Sequence, residues 1–84
     1  MTWAWDYNPD KTHVAGGAPL AFLAAVEEKV AEVVRMAEAV YLDGTAYTGG
    51  PLSLETVAVK GGMFTYGIIP RLELVLVHSV SPNP

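Results

Sequence analysis

The sequence predicts a single small α+β domain over residues 1–84, with one long helix packed on an antiparallel sheet of about four strands in the order β-α-β-β-β. Three observations carry that expectation. Apolar residues recur at spacings of three and four over 19–42, alternate with polar ones over 1–7, and alternate again in three runs after residue 51. The chain has 84 residues, too few for two independent domains.

Each element follows from local chemistry. At the start, Trp3, Trp5 and Tyr7 point one way and Thr2, Ala4 and Asp6 the other, which is strand period with strand-favouring aromatics. Asn8-Pro9-Asp10 ends the run with turn residues, and 10–18, holding Gly16-Gly17, reads as a loop. Pro19 suits a first helical position, where a missing N–H costs nothing. Leu20, Leu23, Val26, Val30, Val33, Val34, Ala37, Val40 and Tyr41 then form one broad apolar stripe, with Glu27, Glu28, Glu32, Arg35 and Glu38 elsewhere. Asp43-Gly44 stops the helix, with Gly44 placed for a left-handed cap. Residues 45–51 read as a loop. Strands follow over 52–60, 63–69 and 72–80, and 81–84 reads as a frayed tail.

Turn chemistry sets an expected register. A Gly61-Gly62 turn pairs Lys60 with Met63, Val59 with Phe64 and Val57 with Tyr66. A turn at Pro70-Arg71, wider than two residues because proline fits a primed turn badly, pairs Ile68 with Glu73, Tyr66 with Val75 and Phe64 with Val77. One sheet face then carries Val57, Val59, Phe64, Tyr66, Ile68, Val75 and Val77 and receives the helix. The other carries Leu52, Leu54, Thr56, Ala58, Lys60, Met63, Thr65, Gly67, Leu72, Leu74, Leu76 and His78; it is mixed, with more leucine than an indifferent solvent face holds. The N-terminal strand region, a second copy of the chain or a partner is expected to cover part of it.

Composition excludes several functions. Apolar residues make up 51% and charged residues 17%, which is incompatible with intrinsic disorder. Without cysteine there is no disulfide scaffold and no thiolate metal site. The net charge of −4 counts against avid nonspecific nucleic-acid binding. No apolar stretch approaches the ~20 residues of a membrane span. MTWAWDYNPD has neither a basic region nor an apolar secretory core, so a cytoplasmic location is expected.

The segment ETVAVKGGMFTYGIIPRLELVLVHSV resembles the C-terminal half of the RelE/ParE toxin superfamily. The features that carry the resemblance are the strand over 57–60, the Gly61-Gly62 turn, Tyr66, and the β-branched run from Leu74 to His78. The opening WAWDYNP resembles the family's first strand and proline-containing turn. The resemblance implies a small α+β toxin of a bacterial toxin–antitoxin pair, with a cognate antitoxin as partner. RelE-type members cleave mRNA in the ribosome, and ParE-type members inhibit DNA gyrase. RelE-type cleavage uses basic and acid–base side chains to activate the ribose 2′-OH and stabilise phosphorane charge. This chain departs from that pattern. Met63 stands where RNase members commonly carry arginine, only five residues are basic, and one long helix is expected where the family often has a helical hairpin.

The candidate catalytic residues are His78, as general acid or base, and Lys60, as phosphate or oxyanion clamp. The bland alternative is that Lys60 flanks a turn and His78 ends an edge strand. Arg71 with Glu73 reads as a solvated turn pair, and Glu55 with Glu73 as rim carboxylates reaching water. His13, with Asp10 three residues before it, lacks the three or four ligands of a metal site, so no metal and no cofactor is expected. Trp3, Trp5 and Tyr7 could stack on bases but fit a core or interface better, and packing is the default for Tyr41 and Tyr47. The acidic helix face is an ordinary solvated face or meets a basic partner. Leu72, Leu74, Leu76 and Met63 form the candidate interaction face.

Three functions are therefore open. The first is a toxin-family protein acting by protein contact and degenerate as a nuclease. The second is a non-catalytic interaction module that forms a homodimer. The third is a ribosome-dependent mRNA endoribonuclease using Lys60 and His78.

Overall fold

The computed structural model describes residues 3–42, 48–49 and 53–83. It is an α+β fold with one long helix and a four-stranded sheet. The elements are β1 (Ala4–Tyr7), α1 (Lys11–Ala15), α2 (Leu20–Tyr41), β2 (Glu55–Val59), β3 (Gly62–Ile69), a 3-10 turn at Pro70–Leu72, and β4 (Leu74–Pro82). The strand order is β1-β4-β3-β2. Strands β2, β3 and β4 form an antiparallel meander, and β1 adds parallel to β4, with Trp5 opposite Val75 and Tyr7 opposite Val77.

The expected helix is present. Its buried residues are Phe22, Leu23, Val26, Val30, Val33 and Ala37, a spacing that keeps one stripe on the sheet. Leu20 and Val40, expected on that stripe, are exposed. They lie in the end turns of a helix ~33 Å long, beyond the ~26 Å of the eight-residue β3. Pro19 is the N-cap rather than the first helical residue. The left-handed φ at the helix end belongs to Leu42, at 50°. The expected Asp43-Gly44 stop lies outside the described residues, as do Met1, Thr2, Tyr47, Leu52 and most of the 45–51 loop.

The stretch 10–18, expected as a loop, contains α1. Asp10 caps it, its carboxylate accepting from the His13 N–H at 2.9 Å. The long helix is therefore preceded by a short one. Gly16 ends the short helix with its N–H bonded to the Thr12 carbonyl.

The expected inner face is the observed one. Phe64, Val75 and Val77 are fully buried under α2, and Val57, Val59, Tyr66 and Ile68 pack at their margin. The pairing differs in register. Val57 faces Phe64 and Val59 faces Gly62, so the hairpin loop is Lys60-Gly61 and Gly62 belongs to β3. The shift is two residues, so each side chain keeps its expected face. Space explains Gly62: a Cβ there would fall 2.3 Å from the Ser81 carbonyl oxygen and 2.8 Å from Phe22.

The second hairpin is shifted too. Ile69 faces Leu74, Ile68 faces Val75 and Tyr66 faces Val77. The turn is wider than two residues, as expected, and Glu73 closes it at φ 52°, ψ 50°. Leu72, expected on a strand, lies in the 3-10 turn. The expected tail is strand as far as Pro82, because Gly62 and Met63 pair with Pro82 and Ser81.

Gly62→Ala is expected to cost about 1–3 kcal/mol, because backbone rather than a flexible side chain occupies the space. Met63→Ala next to it, at an exposed position, is expected to stay within about 0.5 kcal/mol. Urea midpoints of the two variants check this, and equal losses would contradict the register.

Candidate functional site

Three β4 features set the geometry of the outer face, the one turned away from α2. The strand is central, with β1 on one side and β3 on the other, so it is not the edge strand of the bland reading. Its sequence begins LVLV, the continuous apolar run of a strand covered on both faces. It also carries a bulge: Tyr66 pairs with Val77 and Thr65 with Ser79, leaving His78 without a ladder partner. A bulge turns two successive side chains to one side. His78 lies on the outer face, where alternation from Val77 already puts it, and Ser79 follows it there opposite Thr65, so that Val80 returns to the core opposite Phe64.

His78 is half-buried there. Asn8 Nδ2 donates to its Nδ1 at 3.4 Å, a long hydrogen bond that ties the ring to the end of β1. On the ring's other side the backbone of Gly67 comes close. A Cβ at Gly67 would meet Leu54 Cδ2 at 3.0 Å and His78 Nε2 at 3.3 Å. Leu54 and His78 thus lie over the glycine, beside the Thr56 and Thr65 hydroxyls, which bond each other at 2.9 Å.

Lys60 does not join this cluster. It sits in the β2–β3 loop, level with the Gly62–Pro82 end of the sheet. His78 is four residues back along β4 and two strands over. The backbones are separated by roughly 13 Å along the strands and 10 Å across them. The two groups therefore do not converge on one reacting atom, which requires hydrogen-bond distances. Met63 stands exposed between them, opposite Ala58 and Ser81.

The candidate interaction residues fare differently. Leu74 and Leu76 lie on the outer face, half-buried, while Leu54, Met63 and Leu72 are exposed. The N-terminal strand, one expected cover for this face, joins the edge of the sheet instead. Its Trp3 and Tyr7 turn inward and are buried, with Trp3 stacked on Tyr41 at 6.0 Å and Trp5 edge-on to Tyr7 at 5.1 Å. These rings pack rather than offer a base-stacking surface.

The expectation that Glu73 is solvated, whether beside Arg71 or at the rim, is corrected. Glu73 does not reach water at the rim; it is 3% exposed, where the left-handed turn folds it back. Glu55 is exposed, as expected; it faces Tyr66, while Glu73 precedes the Ile69–Leu74 pair, roughly 10–13 Å further along the sheet. His13 Nδ1 lies 2.8 Å from Asp10 Oδ2, an exposed pair at the α1 cap. The His13 N–H and imidazole hold the Asp10 carboxyl below its usual range. Among the described residues no group of three His, Cys, Asp or Glu side chains comes together to hold a metal.

The sequence reading missed one polar cluster. The Tyr7 hydroxyl donates to Glu27 Oε2 at 3.0 Å, and Lys11 Nζ lies 3.5 Å from the same oxygen. The cluster ties β1, α1 and α2 together under the inner face. Burial first, then the Glu27 carboxylate, pushes the Tyr7 hydroxyl well above its ordinary value. Burial and Glu55 raise Tyr66 in the same way. The position of Tyr7 at the end of an alternating aromatic run was readable; its pairing across twenty residues was not. Elsewhere, an open groove of about 310 Å³ runs between α2 and the β2 edge, lined by Lys29, Glu32, Val33, Met36, Val57 and Tyr66. It contains one exposed ion pair, Lys29 with Glu32, and no acid–base constellation.

Both tyrosines hold their protons more tightly folded than unfolded. Their contribution is complete below the ordinary value of ~10 and is lost as pH rises above it. Urea midpoints are expected to fall above pH ~10, with Tyr7→Phe showing a shallower fall. An unchanged slope in that variant would contradict the buried Tyr7–Glu27 bond.

No helix among the described residues is long and apolar enough to cross a membrane. Comparison with known proteins adds no family: no protein-family model, curated protein or solved structure matches this chain.

Proposed function

We propose that the chain is a RelE/ParE-like toxin-family protein of a bacterial toxin–antitoxin system, acting through protein contact and degenerate as a nuclease. The family part rests on the resemblance of the C-terminal meander and the opening strand. The element order supports it, and α1 removes one departure, since two helical segments separate β1 from β2. The mode of action rests on one observation: Lys60 and His78, the residues that would have to cooperate in RNA cleavage, lie at different levels of the sheet on non-adjacent strands. Their distance leaves the 2′-OH without a paired base and clamp. Met63 adds no charge between them. An acidic chain also lacks the Lys and Arg cluster with which ribosome-bound RNA is gripped. The open outer face favours the second reading, an interaction module, and is compatible with the first.

Inducible expression in a bacterial host separates the readings. Growth arrest relieved by co-expression of a small neighbouring gene is the expected result, with His78→Ala and Lys60→Ala arresting growth as the parent does. Harmless expression would refute the toxin reading. Loss of arrest and of transcript cleavage in a folded His78→Ala protein would restore the endoribonuclease.

A further inference from the structure

We infer that the outer face of the sheet is a self-docking surface, occupied by a second copy of this chain in a face-to-face dimer. The inference goes beyond the toxin reading and does not depend on it.

Two observations show that the face needs cover. Strand β4 has apolar side chains on both sides, yet only its inner side is sealed. Val75 and Val77 have no exposure, while Leu74 and Leu76 are only half-buried. Around them Leu54 is 58% exposed and Met63 45% exposed. Leu54 lies over Gly67, whose β4 partner is Leu76, and Leu74 follows on the same face, so these leucines form one apolar strip bordered by Thr56, Thr65 and His78.

Charge and size indicate the occupant. The chain carries a net charge of −4, but its carboxylates lie mostly on the helical side and the rim. Of the described strand carboxylates, only Asp6 falls on the outer face by register, opposite Leu76 at the edge strand. Lys60 stands at the opposite edge. Two copies can therefore meet here without bringing their acidic faces together, and a basic partner finds no complementary charge. A second copy offers the matching apolar surface through a two-fold interface. Strands of 4, 5, 8 and 9 residues, ~4.8 Å apart, project roughly 400 Å², and side-chain relief raises the accessible area above the projection. Two copies then bury on the order of 1,000 Å², the lower end of specific interfaces. An interface of that size belongs to the weak, reversible class, so the equilibrium is sought over a wide concentration range.

Sedimentation equilibrium of the full chain from about 5 to about 500 µM tests this. The expected result is a monomer–dimer equilibrium that Leu76→Glu weakens at least about tenfold. Because Leu76 is half-buried, Leu54→Glu at a mostly exposed site provides a second variant, with circular dichroism confirming its fold. Leu42→Glu, at the exposed end of α2, is expected to leave the equilibrium unchanged. A wild-type chain that remains monomeric throughout, or a dimer indifferent to both outer-face variants, would overturn the inference and assign the face to a different protein. Growth arrest is read in a separate assay, so failure of the toxin reading would leave the sedimentation result standing.

Discussion

Strand β4 imposes the constraint on which the rest of the structure depends. It pairs with its sequence neighbour β3 on one side and with β1 on the other. Its LVLV run leaves no polar side to give to water. Helix α2 satisfies the inner side with Phe22, Val26, Val30 and Val33, a stripe that fits over Val75, Val77 and Phe64. Strand β1 satisfies the exposed edge and sends Trp3 and Tyr7 under the helix while doing so. The Tyr7–Glu27–Lys11 cluster then fixes where the first helix and the first strand meet the second helix. Among the described residues, Leu74 and Leu76 on the outer side of β4 are covered only in part.

The same strand decides the chemistry. The bulge keeps His78 and Ser79 both on the outer face and returns Val80 to the core opposite Phe64. The imidazole lies against Asn8 and Gly67. Its surroundings suit a contact surface better than a proton-transfer site. Mixed polar and apolar groups around a half-buried ring resemble the core of a protein interface, where few charges are tolerated.

Much of this was legible in the sequence. The period of 3.6 gave the long helix, and the period of two gave the inward-facing strand residues as far as Val77, missing Val80 because the bulge reverses the alternation there. Register was less legible because alternation fixes which face a side chain takes and not which residue lies opposite. Both hairpins are therefore displaced while their faces are right. The two glycines illustrate the limit. Gly61 has the positive φ a turn needs, at 94°, whereas Gly62 is required by its nearness to the Ser81 carbonyl. Only the folded chain shows that second reason. Helix α1 is five residues long, too short for periodicity to reveal, although Asp10 three residues before His13 is a readable cap. The separation of Lys60 from His78 depends on the bulge and on strand order, and the burial of Glu73 on a left-handed turn. None of these is encoded in local pattern.

The central claim is that the apolar outer side of β4 is a contact surface awaiting a second copy. Solvent paramagnetic relaxation of leucine methyl groups reads that surface directly. At low concentration the methyls of Leu54, Leu74 and Leu76 should relax strongly with a soluble paramagnet, while those of buried Leu23 should not. As concentration rises, the three outer-face leucines should become shielded, and Leu20 and Leu42 at the ends of α2 should not change. Relaxation that stays constant with concentration at all five accessible leucines would contradict the account.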